Sequence, residues 1–309
     1  MTLEEKIEIT KARIREWYIV NDGKVHVSFS GGKDSTALLD IVRSIFPDVK
    51  AVFVDTGLEY PEIKQFVKSY DNVEILKPKM NFKEVLKKYG YPLVSKEVSN
   101  RIYYYRKGSK WAKEYFEGTY GVTKYNNPER YQMTKWKPLA DSDIPISDYC
   151  CYVMKKNPLK EYEHNTKSCP ILGTMTDESQ RRTTAWLQTG CNSFNSKRPM
   201  SKPLSFWTEQ DIYKYILQSD LKICSVYGDI VPVDNQTSLF DENIKLKTTG
   251  CYRTGCIFCG FGCHLEKEPN RFQMLKQTHP KLWEYCMKPM DEGGLGMKEV
   301  LEFINVKTE

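Results

Sequence analysis

Two groups of residues in this chain have types and spacings that could carry chemistry. The first is Ser30-Gly31-Gly32-Lys33-Asp34-Ser35-Thr36, which follows the apolar run Val25-His26-Val27 and precedes the helix-forming run Ala37 to Val42. Two glycines without Cβ atoms let successive backbone N–H groups turn inward. At the start of a helix, such a nest binds anionic oxygens. Lys33 adds a mobile positive charge, and Ser30, Ser35 and Thr36 offer hydroxyls to phosphates or to a magnesium ion. Asp34 suits either the helix N-cap or the metal. A nucleoside triphosphate with Mg2+ is the ligand expected. The spacing is neither the Walker A pattern nor the three-glycine dinucleotide fingerprint. The second group is thiols: Cys150-Cys151, and far downstream Cys256-x-x-Cys259 with Cys251 and Cys263 flanking. A C-x-x-C turn lets two sulfurs bind one centre, so two sets of four compete, and zinc or iron–sulfur suits either.

Elements of alternating type must position these residues. Thr2-Leu3-Glu4-Glu5 reads as a capping box opening an amphipathic helix that closes at Asn21-Asp22-Gly23. Strands are expected at Val25, at Val49 to Asp55 and at Val73 to Leu76. Helices are expected after the glycine loop, from Pro61 and over Phe82 to Tyr89. That alternation predicts an α/β fold, a parallel sheet with helices on both faces. Ligands in such sheets sit at the carboxyl ends of the strands, which places Ser30 and Asp55 on one rim. The pattern returns at Pro170-Ile171-Leu172-Gly173, followed by a helix carrying Arg181 and Arg182 and another capped by Thr208. Helical patterns near Phe272 to Cys286 and Met297 to Ile304 end the chain. The expected organisation is a nucleotide-binding domain over 1–225, with an insertion over about 95–149, and a Cys-rich, mostly helical region over 226–309.

The 309 residues hold 46 basic and 40 acidic side chains, a net charge of +6. Lys96 to Lys137 alone carries ten Lys or Arg against four Glu, so the excess is local. The stretch is also rich in rings, among them Tyr103, Tyr104, Trp111, Tyr115, Phe116, Tyr131 and Trp136. Interleaved rings and cations suit single-stranded nucleic acid; packed into a helical insertion with a solvated charged face, they are simply its core, and the periodicity favours that plainer reading. No run of about 18 apolar residues exists and the N-terminus lacks a signal-peptide core, so a soluble, cytoplasmic protein without a membrane partner is expected. In that compartment the ten cysteines point to metal or redox chemistry rather than disulfides.

With these motifs in hand, a family resemblance emerges. Ser30 to Ser35 resembles the PP-loop of ATP pyrophosphatases, which cleave ATP to AMP and pyrophosphate. Cys150-Cys151 through Leu159 resembles the adjacent-cysteine motif of the phosphoadenylylsulfate and adenylylsulfate reductase family. Val54-Asp55-Thr56-Gly57, Gly173 to Arg182 and Pro203-Leu204-Ser205-Phe206-Trp207-Thr208 are similar to three further segments of that family, although Met175 stands where arginine is often found. The resemblance runs from about Val25 to Cys259. It implies a Rossmann-like adenine-nucleotide α-hydrolase domain, with Gly57 and Gly173 joining Asp55 and Thr56 beside the nucleotide. It also implies a 4Fe-4S cluster on Cys150, Cys151, Cys256 and Cys259, with Cys251, Cys256, Cys259 and Cys263 as the second choice and zinc as the alternative metal.

Two departures from the reductases stand out. The glycine loop is complete, whereas theirs is generally degenerate, and the Glu-Cys-Gly-Leu-His-like context of their nucleophilic cysteine is not found among these residues; Cys286 is expected inside a helix. The profile is similar to PP-loop enzymes of DNA phosphorothioation and of thiolation. The reading is therefore an ATP pyrophosphatase that activates a substrate for sulfur transfer, with Lys33, Asp34, Arg181 and Arg182 as catalytic candidates. Sulfonucleotide reduction, with Cys263 or Cys286 as nucleophile, is the runner-up, and a non-catalytic nucleotide- or nucleic-acid-binding subunit the third reading. The partners this admits are ATP or an adenylylated sulfur compound, a nucleic acid, a sulfur donor such as a cysteine desulfurase, and a second copy of the chain.

Overall fold

The computed structural model describes residues 1–233 and 244–309. Thr2 caps α1 (Leu3–Val20) through the expected box: its hydroxyl accepts from the Glu5 N–H at 3.2 Å, and the Glu5 carboxylate accepts from the Thr2 N–H at 2.9 Å. The chain then alternates β1 (Val25–Ser28), α2 (Lys33–Arg43), β2 (Lys50–Val54), α3 (Pro61–Lys68) and β3 (Val73–Leu76). Pro61 starts α3, where its missing N–H costs nothing. There follow α4 (Phe82–Tyr89), β4 (Leu93–Val94), α5 (Lys96–Arg106), α6 (Lys110–Glu117), α7 (Lys137–Asp141) and α8 (Asn157–Thr166). The chain continues through β5 (Cys169–Leu172), α9 (Gln180–Thr189), β6 (Asn192–Ser193), β7 (Met200–Ser201), α10 (Glu209–Gln218), β8 (Ile230–Pro232) and β9 (Leu246–Thr248). It closes with β10 (Gly260–Phe261), α11 (Arg271–Thr278), α12 (Pro280–Met287) and α13 (Met297–Phe303).

These elements form two compact units, each drawn from separated stretches of chain. One comprises Met1–Asp55, Glu59–Pro78 and Asn157–Thr254; the other comprises Thr56–Leu58, Lys79–Lys156 and Gly255–Glu309. The division does not follow a single boundary at residue 225. The basic, aromatic stretch belongs with the C-terminal helices rather than being an insertion within the first unit.

The first unit is the α/β fold. Its sheet runs β3-β2-β1-β5-β7-β6, parallel throughout except where β6 pairs antiparallel with β7. In register, Val27 lies beside Ala51 on one side and Ile171 on the other. Strand order steps outward from β1 to β2 and β3, then resumes on the opposite side at β5, so the switch point of the sheet lies between β1 and β5. Val25, Val27, Leu38, Ile41, Ala51, Ile171 and Trp207 belong to one buried apolar cluster. His26 points to the opposite face by strand alternation and meets Tyr162 of α8 edge-on, with ring centroids 5.2 Å apart. Helices thus cover both faces, as the sequence pattern predicts. The Pro203-to-Thr208 segment is an anchor within this unit: Leu204 and Trp207 are fully buried, and the Trp207 indole donates to Thr10 Oγ1 of α1 at 2.9 Å.

The second unit is mostly helical. Its small sheet pairs β4 with β10 in parallel, and Tyr91 bridges Ile146. Asn81 caps α4 through a box with Glu84. The expected helix over Phe272 to Cys286 is two helices, because Pro280 cannot continue the first and instead opens the second. Cys286 lies fully buried in the second of them, as expected. Among the described residues, no helix is long and apolar enough to cross a membrane.

Candidate functional site

In the first unit, Ser30 to Ser35 leave the carboxyl end of β1 at the switch point. Asp55 and Gly173 follow the carboxyl ends of β2 and β5, the two strands that flank it. Gly31 has φ +71°, and a Cβ there would meet the γ2 methyls of Ile63 and Val67 at 2.9 Å. Only glycine fits that turn. Gly32 is the N-cap of α2 and supplies no side-chain cap, so the first N–H groups of the helix open into the loop. Asp34 stands at the second position of the helix, which removes it from the N-cap role the sequence admits. A Cβ on Gly173 would lie 3.2 Å from the Asp34 carbonyl oxygen, so its backbone abuts the start of α2.

The hydroxyls that the sequence offers to phosphate are turned inward. Ser30 and Ser35 Oγ atoms are 3.0 Å apart, and Ser35 and Thr36 both donate to the Gly32 carbonyl, at 2.9 and 3.0 Å. They brace the loop from within. The ligand side is covered by residues far along the chain. The Lys33 N–H donates to Tyr227 Oη at 3.2 Å, and that hydroxyl lies 2.7 Å from Thr254 Oγ1. A Cβ on Gly32 would meet the same two hydroxyls at 3.1 and 3.2 Å.

Lys33 is not the mobile cation expected from sequence. It is only 3% exposed, with its ammonium 3.0 Å from Glu209 Oε1, 3.6 Å from Asp34 Oδ1 and within 5.7 Å of the ring centres of Tyr213, Tyr227 and Tyr252. Two carboxylates and three ring faces hold the charge in place. Burial pushes the Asp34 carboxyl above its ordinary range; Lys33 pulls it back, and Glu178 and Glu209 add to the rise. Asp34 Oδ1 is buried with no hydrogen-bond partner, since 3.6 Å is too long for one. An orphaned carboxylate oxygen beside other acids fits a divalent cation carried in with a polyphosphate.

The remaining sequence candidates divide. Asp55 pairs with Lys64 of α3 at 2.7 Å. Gly57 has φ +76° with open space where a Cβ would sit, so its backbone angle alone calls for glycine. Thr56 Oγ1 accepts from the Leu58 N–H at 3.2 Å, holding a tight turn. Arg181 and Arg182 line a cleft of about 220 Å³ together with Leu172, Thr176, Lys202 and Ser205. Three cations around so small a space suit a phosphate- or sulfate-sized group. Arg182 is also ion-paired to Glu178, which Arg253 approaches at 3.9 Å.

The thiol candidates Cys150, Cys151, Cys256, Cys259 and Cys263 all belong to the second unit. Cys150 and Cys151 open a π-helical turn (Tyr152–Lys156), and their Sγ atoms are 4.0 Å apart. The Cys150 thiol donates to Cys151, which raises the first and, with Lys96 and Lys155 nearby, lowers the second to about 6. Burial pushes Cys259 up to about 11, and the neighbouring Cys256 adds to that. Cys256 and Cys259 also act on Cys150 through space, so these four thiols are electrostatic neighbours. Cys263 is buried, donates to the Gly260 carbonyl at 3.0 Å and is pushed up to about 12. Cys251 belongs to the other unit, where its thiol contacts the Arg253 carbonyl at 2.9 Å. Among the described residues, no group of three or more His, Cys, Asp or Glu side chains is already arranged to hold a metal ion. Chemically the four neighbouring thiols fit a thiolate-bound centre; they do not form a closed cage.

Tyr213, Tyr227, Tyr252, Thr254 and Glu209 are the residues that sequence reasoning missed. They carry no local motif, and only the course of the chain brings them to the loop.

A glycine loop at the switch point of a parallel sheet, with a lysine and an acid at the mouth of the following helix, defines a nucleotide-binding α/β protein. The chain matches the phosphoadenosine phosphosulfate reductase domain over residues 24–117 and 93–260, and it belongs to that family. It is 34% identical over 306 residues to an uncharacterised protein of Methanocaldococcus jannaschii, a match covering 93% of this chain but 53% of that protein, so the chain spans about half its relative's length. It is 24% identical over 220 residues to the adenosine 5'-phosphosulfate reductase of Staphylococcus haemolyticus, covering 71% of this chain and 72% of the enzyme. Among solved structures, a phosphoadenylyl-sulfate reductase from Candida auris, crystallised as a phosphate complex, is similar at a TM-score of 0.40 and 12% identity, over 73% of this chain and 90% of that one.

Proposed function

We propose that this protein binds ATP with magnesium and cleaves it to AMP and pyrophosphate, activating an acceptor for sulfur transfer. The observation that carries the reading is the complete loop: Gly31 in a glycine-only turn, a Gly32 N-cap with no side chain of its own over the start of α2, and Lys33 and Asp34 at its mouth. A nucleotide already lacking β,γ-phosphates would leave that equipment idle. An acceptor oxygen would form a bond to the α-phosphorus as the α,β-bridging P–O bond breaks. Pyrophosphate then leaves carrying negative charge, which the loop N–H groups and Lys33 stabilise. An incoming sulfur nucleophile next displaces AMP from the acceptor. Arg181 and Arg182 would hold an oxyanion in the cleft they line. Cys150, Cys151, Cys256 and Cys259 would hold a 4Fe-4S cluster, which when bound supplies a site to carry sulfur or to staple two chain segments.

The runner-up, reduction of a sulfonucleotide, is favoured by the cationic cleft and by the named reductases among the relatives. Its candidate nucleophiles stand against it, because Cys286 and Cys263 are both buried with thiols held protonated by burial. Product analysis without oxygen separates the two. AMP plus pyrophosphate from ATP supports the proposal, whereas sulfite from adenylylsulfate with no pyrophosphate release would replace it.

A further inference from the structure

The corner where α5 meets α6, within the second unit, has a surface that neither the loop nor the thiols explain. Each helix sends its apolar side inward, with Ile102, Ala112, Tyr115 and Phe116 buried. Rings also point outward: Tyr103, Tyr104 and Trp111 are 49%, 41% and 42% exposed. They are contiguous, since Tyr103 and Tyr104 have ring centroids 5.3 Å apart and Tyr104 and Trp111 lie at 5.4 Å. The helical-core reading therefore holds for Tyr115 and Phe116 and fails for Tyr103, Tyr104 and Trp111.

Between the two helices the charges are of one sign, with Glu97, Glu114 and Glu117 at the flanks. Residues 98–113 contain five Lys or Arg and no Asp or Glu. Two of the five have structural roles: Arg106 donates to the carbonyls of Leu139, Ala140, Ser142 and Ile144, and Arg101 pairs with Glu97 while lying 3.6 Å over the Tyr115 ring. Lys107, Lys110 and Lys113 remain at the surface, with the Lys107 ammonium 5.4 Å over the Tyr103 ring. Gly108, at φ +78°, makes the turn that sets the end of α5 beside the start of α6 and so brings rings and ammonium groups together.

We infer that this corner binds single-stranded nucleic acid, with Tyr103, Tyr104 and Trp111 as stacking platforms for bases and Lys107, Lys110 and Lys113 pairing with the phosphates. Exposed π-faces interleaved with cations are the chemistry of such sites. A duplex hides its base faces from side chains on a convex helix corner. A membrane-surface helix would set aliphatic groups beside its rings to enter the acyl layer, and every large apolar side chain exposed among residues 96–117 is aromatic. The inference rests on the second unit alone and stands whether or not the loop cleaves ATP.

The test is fluorescence anisotropy of the full chain with labelled mixed-sequence single-stranded RNA and DNA, each at two salt concentrations. Duplex of the same sequence and anionic vesicles serve as competitors. Binding of single strands should weaken by about tenfold when Tyr104 or Trp111 is changed to Ala, in line with the loss of one stacked base. Lys107→Gln should lower the slope of affinity against salt. Because the replaced rings are exposed, thermal unfolding and ATP binding should match wild type, which separates this outcome from failure of the loop assignment. Equal affinity in the ring variants, tighter binding to duplex, or competition by vesicles alone would overturn the inference.

Discussion

Replacing Tyr227 by Phe tests how the loop is held before its ligand arrives. The hydroxyl accepts from the Lys33 N–H at 3.2 Å and pairs with Thr254 at 2.7 Å, occupying a donor that a phosphate would need. Each hydrogen bond contributes about 1 kcal/mol net, so the variant should lose about 1–2 kcal/mol of stability. The ring would stay in place beside Lys33. With the Lys33 N–H bare, a phosphate no longer has to displace the hydroxyl. Binding should then tighten by about 1 kcal/mol, roughly fivefold. Isothermal titration with magnesium-ATP and with pyrophosphate reads the affinity, and denaturant unfolding reads the stability. Thr254→Val, which keeps the Lys33 contact but removes the second partner, should give a smaller gain. Unchanged or weaker binding by Tyr227→Phe would refute the reasoning. A tenfold loss would make the hydroxyl a ligand of the phosphate rather than its competitor.

Four other outcomes follow from the same geometry. Lys33→Met should reduce pyrophosphate release at least a hundredfold and, by leaving Glu209 and Asp34 without their cation, destabilise the fold; a variant releasing pyrophosphate normally would remove the loop from the mechanism. Gly31→Ala should cost about 2–3 kcal/mol in denaturant unfolding, because a Cβ there meets two methyls at 2.9 Å and φ is +71°. His26 is buried, with Nδ1 2.8 Å from Ser168 Oγ and Nε2 unpartnered; burial first, and then Arg198, depress it from 6.5 to about 4. The unfolded chain takes up that proton first as pH falls, so stability should drop by about 3 kcal/mol between pH 6.5 and pH 4, and His26→Leu should flatten that part of the profile. Cys150→Ser should remove iron and sulfide from anaerobically purified protein, whereas Cys251→Ser should leave both in place; the opposite pattern would favour the local cysteine set.

The parts of this molecule legible in sequence are those that short-range physics decides. Thr2 with Glu5 and Thr208 with Asp211 announce their helices because a cap and its partner lie three residues apart. Asn81 with Glu84 carries the same signal and could have been read in the same way. The glycine pair between a strand and a helix locates the loop, and the alternation of elements gives the sheet. What surrounds Lys33 was not legible. Glu209 and the three tyrosines lie at least 176 positions away, and a lysine in isolation reads as solvated. The thiols were legible as a group, but which of them share a unit needed the path of the chain, which puts Cys251 in the first and Cys150, Cys151, Cys256, Cys259 and Cys263 in the second. The aromatic stretch was ambiguous for a different reason: its rings serve two roles on the same helices, and periodicity alone assigns them one.

The hydroxyl that meets the Lys33 N–H is supplied 194 residues downstream of it, and Thr254 lies later still. A ribosome releases the glycine loop early, well before that partner exists. During synthesis the start of α2 is open to water and to any polyphosphate nearby, and β1 waits for β5 to complete its second edge. The Lys33 N–H thus gains its hydroxyl partner only as the end of the first unit emerges, which puts this brace on the glycine loop among the last contacts that the first unit can complete.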